Sequence, residues 1–143
     1  MAKHILVLSS KAEVIQRPRD TLEPEGYRVT VAAADADIAR EITQITALTG
    51  QGPDSVILDL GSEDEVRASE ERHMRCLGEI EDRARPRVIV LKPPGPHHGG
   101  YQSYRSYAEV YLSERFHPRE LLAFVGRMIG PADSALVRNR HSG

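Results

Sequence analysis

The chain has 143 residues, a formal net charge of −2, and a composition of 40% hydrophobic and 28% charged residues. These values are typical of one globular domain, and the near-neutral charge gives no argument for binding nucleic acid or an anionic membrane. The single cysteine, Cys76, excludes an internal disulfide, and neither a secretory segment nor an apolar run of roughly 18 residues is present. We therefore expect a cytoplasmic protein that does not contact the membrane.

Five short runs rich in apolar and β-branched residues recur along the chain, and each is predicted to form a strand. They are Ile5–Leu8, Tyr27–Ala32, Val56–Leu60, Val88–Leu91 and Ala108–Leu112. The first, third and fourth runs are almost continuously apolar, which is typical of central strands in a parallel sheet that is covered on both faces.

The segments between the strands are long enough for crossover helices, and two of them carry apolar stripes at helical spacing. Asp35 is predicted to cap the earlier of these helices, which should end at Gly50. Its stripe comprises Ile38, Ile42, Ile45 and Leu48. The stripe of the later helix comprises Val66, Ser69, His73, Leu77 and Ile80.

The first and last helices differ in how clearly the sequence defines them. Pro18 and Pro24 fall where the first crossover helix should run, so we expect that helix to start late, to bend or to be short. The segment His117–Glu120 has Pro at the first helical position and Glu at the third, which is typical of a helix start. Residues 131–143 are predicted to be a disordered polar tail, and residues 1–130 form the domain.

Strands that alternate with helices predict an α/β fold, a doubly wound five-stranded parallel sheet with helices on both faces. Sites in such sheets form at the carboxyl ends of the strands, near the point where the strand order reverses. The polar residues that follow the predicted strands at this edge are Ser9, Ser10, Asp59, Lys92 and Glu114. We expect them to line one crevice, in which the carboxylate of Asp59 needs a partner because burying an unpaired charge is costly.

Four segments, in this order and spacing, resemble the receiver domains of response regulators, which are CheY-like domains with a flavodoxin-like fold and strand order 2-1-3-4-5. They are Ile5–Leu8, Glu25–Val29, Pro53–Leu60 and Ala108–Leu122. The resemblance covers about residues 3–130. It implies a module of two-component signalling or a phosphorelay, with Asp59 at the phosphoacceptor position.

The other positions of the site depart from what the resemblance implies. Receivers have two acidic residues after the first strand that help to hold Mg²⁺, and here these positions are Ser9 and Ser10. A Ser or Thr after the fourth strand is replaced by Lys92, and a Lys after the fifth strand is replaced by Glu114. We therefore expect weak or absent Mg²⁺ binding, no other cofactor, and a degenerate site in which Lys92 forms an ion pair with Asp59.

Two other functions stay open on the sequence alone. Asp59 could remain a working phosphoacceptor, with Lys92 in place of the missing lysine. Alternatively, Ser9 and Ser10 could hold the phosphate of a small ligand or cofactor, as in flavodoxin-like binders, although their loop lacks the glycine that close backbone approach requires.

His97 and His98 are candidate metal ligands by residue type, but no cysteine or carboxylate stands at ligand spacing beside them. A solvated loop is therefore the favoured interpretation, and no metal is predicted. Cys76 lies beside the later helical stripe and is predicted to be a partly buried residue without a chemical role.

Four of the five tyrosines fall within eleven residues of one another. They are Tyr101, Tyr104, Tyr107 and Tyr111. The resemblance places them near the fourth helix, fifth strand and fifth helix, which form the usual partner surface of receivers. Because tyrosine supplies contact area and a hydrogen bond at low entropic cost, we expect an interaction surface here.

These expectations favour an atypical stand-alone receiver, not an enzyme, that acts as a phosphorylation-independent protein–protein interaction module. Its partner would be another signalling protein, such as a histidine kinase or an output protein, and a homodimer is a further option. Nucleic-acid binding through Arg138 and Arg140 is not favoured, because this basic cluster is small.

Overall fold

The computed structural model describes residues 3–9, 11–33, 37–59, 71–78, 86–92, 108–113 and 115–132. Within these ranges the chain forms one parallel sheet of five strands, β1 His4–Leu8, β2 Arg28–Ala32, β3 Ser55–Asp59, β4 Arg87–Lys92 and β5 Ala108–Ser113. The strand order is β2-β1-β3-β4-β5. The predicted fold class and strand order are both confirmed.

Four helices cover the sheet in the described part of the chain. They are α1 Ala12–Leu22, α2 Ile38–Thr49, α3 at residues 71–78 and α4 Pro118–Ile129. A short 3₁₀ turn, Glu23–Glu25, follows α1. None of the helices in the described ranges is long and apolar enough to cross a bilayer.

The alternation of side chains along each strand divides the core into two layers. Leu6 and Leu8 pack with the buried residues of α2 and α3 on one face of the sheet. Ile5 and Val7 pack with the buried residues of α1 and α4 on the other face. All residues of β1 and β3 are buried, as predicted for central strands.

The first helix differs from the prediction. It begins only four residues after β1 and runs continuously for 11 residues with Pro18 inside it. Pro18 lies on the buried stripe of the helix with Val14 and Leu22. Of the three expected departures, a late start and a short helix are both wrong, because burial of this apolar stripe offsets the backbone hydrogen bond that proline cannot make.

The start of α2 also differs from the prediction. Asp37, rather than Asp35, is its N-cap, and the Asp37 carboxylate accepts a hydrogen bond from the backbone N–H of Arg40. The helix ends at Gly50, as predicted, in the left-handed conformation with φ 81°. Leu48 is 86% exposed, so the buried stripe is narrower than the apolar spacing suggested.

The later part of the chain agrees with the sequence where the structure describes it. His73 and Leu77 of α3 are buried; Val66, Ser69 and Ile80 lie outside the described residues. At the start of α4, the backbone N–H of His117 donates to Glu120, and the imidazole of His117 accepts from the N–H of Arg119. The predicted helix start is confirmed.

The folded body extends beyond residue 130. Ala132 is buried, and its carbonyl accepts a hydrogen bond of 2.7 Å from the N–H of Lys3. This bond ties the segment after α4 to the start of β1. The remainder of the predicted tail, residues 133–143, lies outside the described residues.

Candidate functional site

The carboxyl ends of β1 and β3 bring Ser9 and Asp59 together. Leu8 pairs with Leu58 in the parallel register, so the residue that follows each of them lies at the same level of the sheet. The Ser9 hydroxyl donates a hydrogen bond of 2.7 Å to Oδ2 of Asp59. Ser9 is 1% exposed and Asp59 is 4% exposed, so this bond is buried. Asp59 therefore has a partner, as the cost of its burial requires.

The Ser9 hydroxyl also fixes the start of α1. Its oxygen accepts a hydrogen bond of 3.1 Å from the backbone N–H of Lys11, which is the N-cap residue of that helix. A serine hydroxyl has one hydrogen to donate, and the 2.7 Å bond to Asp59 uses it in preference to the Lys11 carbonyl at 3.5 Å. One hydroxyl thus links the ends of β1 and β3 to the first turn of α1.

Lys92 does not form the predicted ion pair with Asp59. Its ammonium nitrogen lies over the ring of Tyr111, 4.5 Å from the ring centroid, in a cation–π arrangement. The ion pairs that described residues form with one another join Lys3 to Asp54, Arg19 to Glu23, Arg75 to Glu71, and Arg87 to Glu109. The predicted lock between Lys92 and Asp59 is not among them.

Strand alternation explains this difference. In β4, Val88 and Val90 face the layer under α2 and α3, so Lys92 continues on that face, where Tyr111 also packs. In β3, Ile57 faces the layer under α1 and α4, and Asp59 has the same parity. The two side chains therefore leave the sheet on opposite faces. The period of two was readable in the sequence and would have predicted this separation.

A second polar contact joins the N-cap of α2 to α3. The Cys76 thiol, on α3, donates a hydrogen bond of 3.4 Å to the carboxylate of Asp37. The bond from the Arg40 N–H, and then the bond from the thiol, lower the pKa of Asp37 below its usual value. Burial raises the pKa of Cys76, which suits an inert thiol more than a nucleophile. Sequence reasoning missed Asp37 because Asp35 offered an equally plausible cap two residues earlier.

Comparison with known proteins rests on structure alone, since no family model and no curated protein match the chain. A CheY-like protein, TadZ, from Pseudomonas aeruginosa PAO1 is similar with a TM-score of 0.68 at 14% identity, covering 94% of this chain and 98% of that one. A response regulator receiver protein from Burkholderia phymatum has a TM-score of 0.64 at 19% identity, covering 92% and 98%. A response regulator protein from Burkholderia multivorans has a TM-score of 0.59 at 22% identity, covering 94% and 100%.

The chain has the CheY-like receiver fold. In this fold Asp59 ends the third strand of the sheet and Ser9 follows the first, so the predicted crevice brings these two residues together. Lys92 ends the fourth strand but belongs to the opposite face. Ser10 and Glu114, the other predicted members of the degenerate site, lie outside the described residues.

The predicted interaction surface is described at one residue only. Tyr111 is partly buried in β5, where its ring packs against the layer under α2 and α3 and lies beneath the ammonium of Lys92. Tyr101, Tyr104 and Tyr107 lie outside the described residues, as do His97 and His98. Among the residues that the structure describes, no three His, Cys, Asp or Glu side chains lie close enough together to hold a metal ion.

Proposed function

We propose that this receiver-fold chain is a protein–protein interaction module that works without phosphorylation of Asp59. The observation that carries the proposal is the buried 2.7 Å hydrogen bond between the Ser9 hydroxyl and Asp59. It places a neutral donor beside the carboxylate, at a position where the resemblance implies an acidic metal ligand.

The hydrogen bond opposes phosphoryl transfer in two ways. A carboxylate oxygen that accepts a short hydrogen bond is a weaker nucleophile, because the donor stabilises the charge that attack on phosphorus would consume. Moreover, Asp59 is only 4% exposed, so an incoming phosphodonor would have to displace its neighbours. Both effects favour a retained structural carboxylate over a phosphoacceptor.

The metal chemistry argues in the same direction. Mg²⁺ prefers carboxylate oxygens and gives up its own waters reluctantly. With Ser9 and Ser10 after β1, Asp59 is the one carboxylate left among the positions to which the resemblance assigns Mg²⁺ binding. We therefore expect Mg²⁺ to bind weakly or not at all, and no other cofactor is required.

Lys92 gives little support to the alternative of a working phosphoacceptor. A cation that compensates a phosphoryl group must lie close to that group. The Lys92 ammonium instead lies over the ring of Tyr111, on the face that Asp59 does not share. Its place supports a role in shaping the surface around β5, where we propose that a signalling partner or a second copy of the chain docks.

The proposal is tested by incubating the protein with a small phosphodonor and Mg²⁺ and recording its intact mass. We expect no stoichiometric phosphoryl adduct. An Asp59→Asn variant is the matched control, since it keeps the size of the side chain and removes the nucleophile. A hydroxylamine-labile adduct on the wild type that is absent from this variant would establish the phosphoacceptor function instead.

A further inference from the structure

Hydrogen bonds at the amino end of β1 join four separate segments of the chain. The N–H of Lys3 donates to the carbonyl of Ala132 over 2.7 Å, and the carbonyl of Lys3 accepts the N–H of Arg28 over 2.9 Å. His4 exchanges two bonds with Asp54: its N–H donates to the carboxylate over 2.9 Å, and its carbonyl accepts the Asp54 N–H over 2.8 Å. The start of β1 is thus bonded to the start of β2, to the residue before β3 and to the segment after α4.

The imidazole of His4 is buried beside these bonds. It is 7% exposed, and its Nε2 lies 2.6 Å from the Thr30 hydroxyl, whereas its buried Nδ1 has no hydrogen-bond partner. A neutral imidazole has one N–H and one lone pair. We assign the N–H to Nε2, where Thr30 can accept it, because a buried N–H on Nδ1 would have no acceptor. In this tautomer the unused group is only a lone pair.

A proton cannot be accommodated on Nδ1 while the ring stays in place. It would create a buried charge and a buried N–H without an acceptor, and both are costly. Burial, and then the charge of Arg28 on β2, lower the pKa of His4, whereas Asp54 raises it. The Asp54 carboxylate is also shared with Lys3, at 4.0 Å. The protonated ring is therefore more stable in water than in its buried site.

Two titratable residues of α3 are also buried. Cys76 packs with Leu6 on the face of β1 that His4 shares, and its thiol donates to Asp37 at the start of α2. Burial raises the pKa of Cys76, so this thiol stays neutral between pH 5.5 and 7.5. His73 is buried as well, so its titration has to be distinguished from that of His4 by experiment.

We propose that His4 is a pH-sensitive latch that holds the start of β1 to the segment after α4. The neutral ring keeps the latch closed. The protonated ring leaves its buried site, and the bonds from Lys3 to Ala132 and from His4 to Asp54 open with it. The latch lies at the end of β1 opposite to Asp59, so it and the proposed absence of phosphorylation can fail independently.

A second bond limits how far the structure opens. The hydroxyl of Tyr27 donates to the carbonyl of Gly130 over 2.8 Å, and Tyr27 is itself buried. Burial raises the pKa of Tyr27, so the hydroxyl keeps its hydrogen in mild acid. This bond does not involve β1. Opening of the latch should therefore free the chain beyond Gly130, including Ala132, and leave α4 in place.

The test is amide hydrogen exchange of the full chain, followed by NMR at pH 7.5 and pH 5.5 and expressed as protection factors, which remove the intrinsic pH dependence of exchange. Protection of the Lys3 and His4 amides should fall about three- to tenfold at the lower pH, since one unit of pKa difference corresponds to tenfold. Protection of Val7, inside β1, should change less than about twofold. An equal loss at Val7 would indicate unfolding of the whole domain and would overturn the latch.

Two variants assign the effect to one imidazole. His4→Gln cannot titrate, and its protection factors should be the same at both pH values. His117→Asn is the matched control, since it removes an exposed imidazole and keeps a good N-cap residue on α4; it should behave as the wild type. A pH effect that persists in His4→Gln would belong to another group, such as His73, and would overturn the proposal.

A measurement on the wild type alone keeps the test decisive if His4→Gln does not fold. The ring nitrogens of His4, followed by ¹⁵N NMR across the same pH range, should show the Nε2–H tautomer when neutral. They should titrate at the pH at which protection of the Lys3 amide falls. A hydrogen on Nδ1 in the neutral ring, or a different midpoint for the two changes, would contradict the latch.

Discussion

Buried polar groups are hydrogen-bonded to different extents at the two ends of the β1–β3 strand pair. At the carboxyl end, Asp59 is 4% exposed and accepts the Ser9 hydroxyl. At the amino end, His4 is 7% exposed, and its Nε2 lies 2.6 Å from the Thr30 hydroxyl. The Nδ1 of His4 has no hydrogen-bond partner among the described residues. Among the described residues, the buried side-chain nitrogen without a hydrogen-bond partner therefore lies at the end opposite to the predicted site.

This contrast shows how the polar groups at each end of the strand pair are satisfied. A ligand site usually leaves a buried polar group for the ligand to satisfy, whereas the Ser9 hydroxyl already uses its hydrogen on Asp59 and accepts the N–H of Lys11. At the amino end, the N–H of His4 donates a hydrogen bond to the carboxylate of Asp54. The same carboxylate forms an ion pair with Lys3. The carboxyl end is thus closed by a hydrogen bond between its own residues.

The largest expected effect comes from breaking the closure at the carboxyl end. Ser9→Ala should lower the free energy of unfolding by about 1–3 kcal/mol, because it leaves a buried carboxylate without its hydroxyl donor. Urea denaturation measures the loss. Ser113→Ala is the matched control: Ser113 is exposed, and losing its hydrogen bond to the N–H of Arg115 should cost less than about 0.5 kcal/mol. Equal losses in the two variants would contradict the closure.

The same change at the amino end should cost less. Thr30→Val keeps the branched shape and removes the hydroxyl beside Nε2 of His4. We expect a loss of about 1 kcal/mol, since Thr30 is partly exposed and water can replace part of the bond. Repeating the substitution in a His4→Leu background should abolish the loss. A loss larger than that of Ser9→Ala would reverse the comparison of the two ends.

A smaller effect tests whether Lys92 acts on Asp59. Lys92→Met should cost about 0.5–1 kcal/mol through loss of the cation–π contact with Tyr111. Combined with Asp59→Asn in a double-mutant cycle, the two losses should add within about 0.5 kcal/mol, because the side chains leave opposite faces of the sheet. A coupling free energy well above that value would support the ion pair between Lys92 and Asp59 that the sequence suggested.

The smallest expected effect depends on pH and belongs to the amino end. Burial, and then the charge of Arg28, lower the pKa of His4 below 6.5, although Asp54 opposes them. The folded protein therefore binds fewer protons at this site than the unfolded chain. The stability that neutral His4 contributes is complete above the unfolded pKa and is lost as the pH falls through the folded value.

Urea midpoints at pH 7.5 and pH 5.5 measure this dependence, and both values lie at about one unit from the ordinary pKa of histidine. Wild type should lose more stability over this interval than His4→Gln, which cannot titrate there. Identical losses would mean that His4 does not contribute to the pH dependence.

The fold was predictable because its signals are local and repeated. Apolar runs gave every strand to within one residue at either end, and the helix start at His117 appeared as predicted. The errors arose where tertiary contacts determine whether a helix continues and which of its residues are buried. Pro18 is accommodated because its helix face is buried, and Leu48 is exposed although its spacing matches the buried stripe. Neither outcome follows from spacing or propensity alone.

Of the predicted site, the structure describes the contact between Ser9 and Asp59 and the place of Lys92, whereas Ser10 and Glu114 lie outside the described residues. Strand ends correctly brought Ser9 beside Asp59, because parallel register places successive strand ends at one edge. The pairing of Lys92 with Asp59 was wrong because the prediction used proximity along the edge and ignored which face each side chain takes. The sequence showed Ser9 only as the replacement of an acidic residue. Its hydrogen bond to Asp59 could be seen only in the structure.

The measurement that tests the closed site most directly is Mg²⁺ binding followed by NMR amide shifts near Asp59. The comparison is between wild type and a Ser9→Asp/Ser10→Asp variant, which restores the two acidic positions implied by the receiver resemblance. We predict no saturable binding by the wild type at millimolar Mg²⁺ and saturable binding by the variant. Saturable binding by the wild type that is lost in Asp59→Asn would contradict a site closed by Ser9.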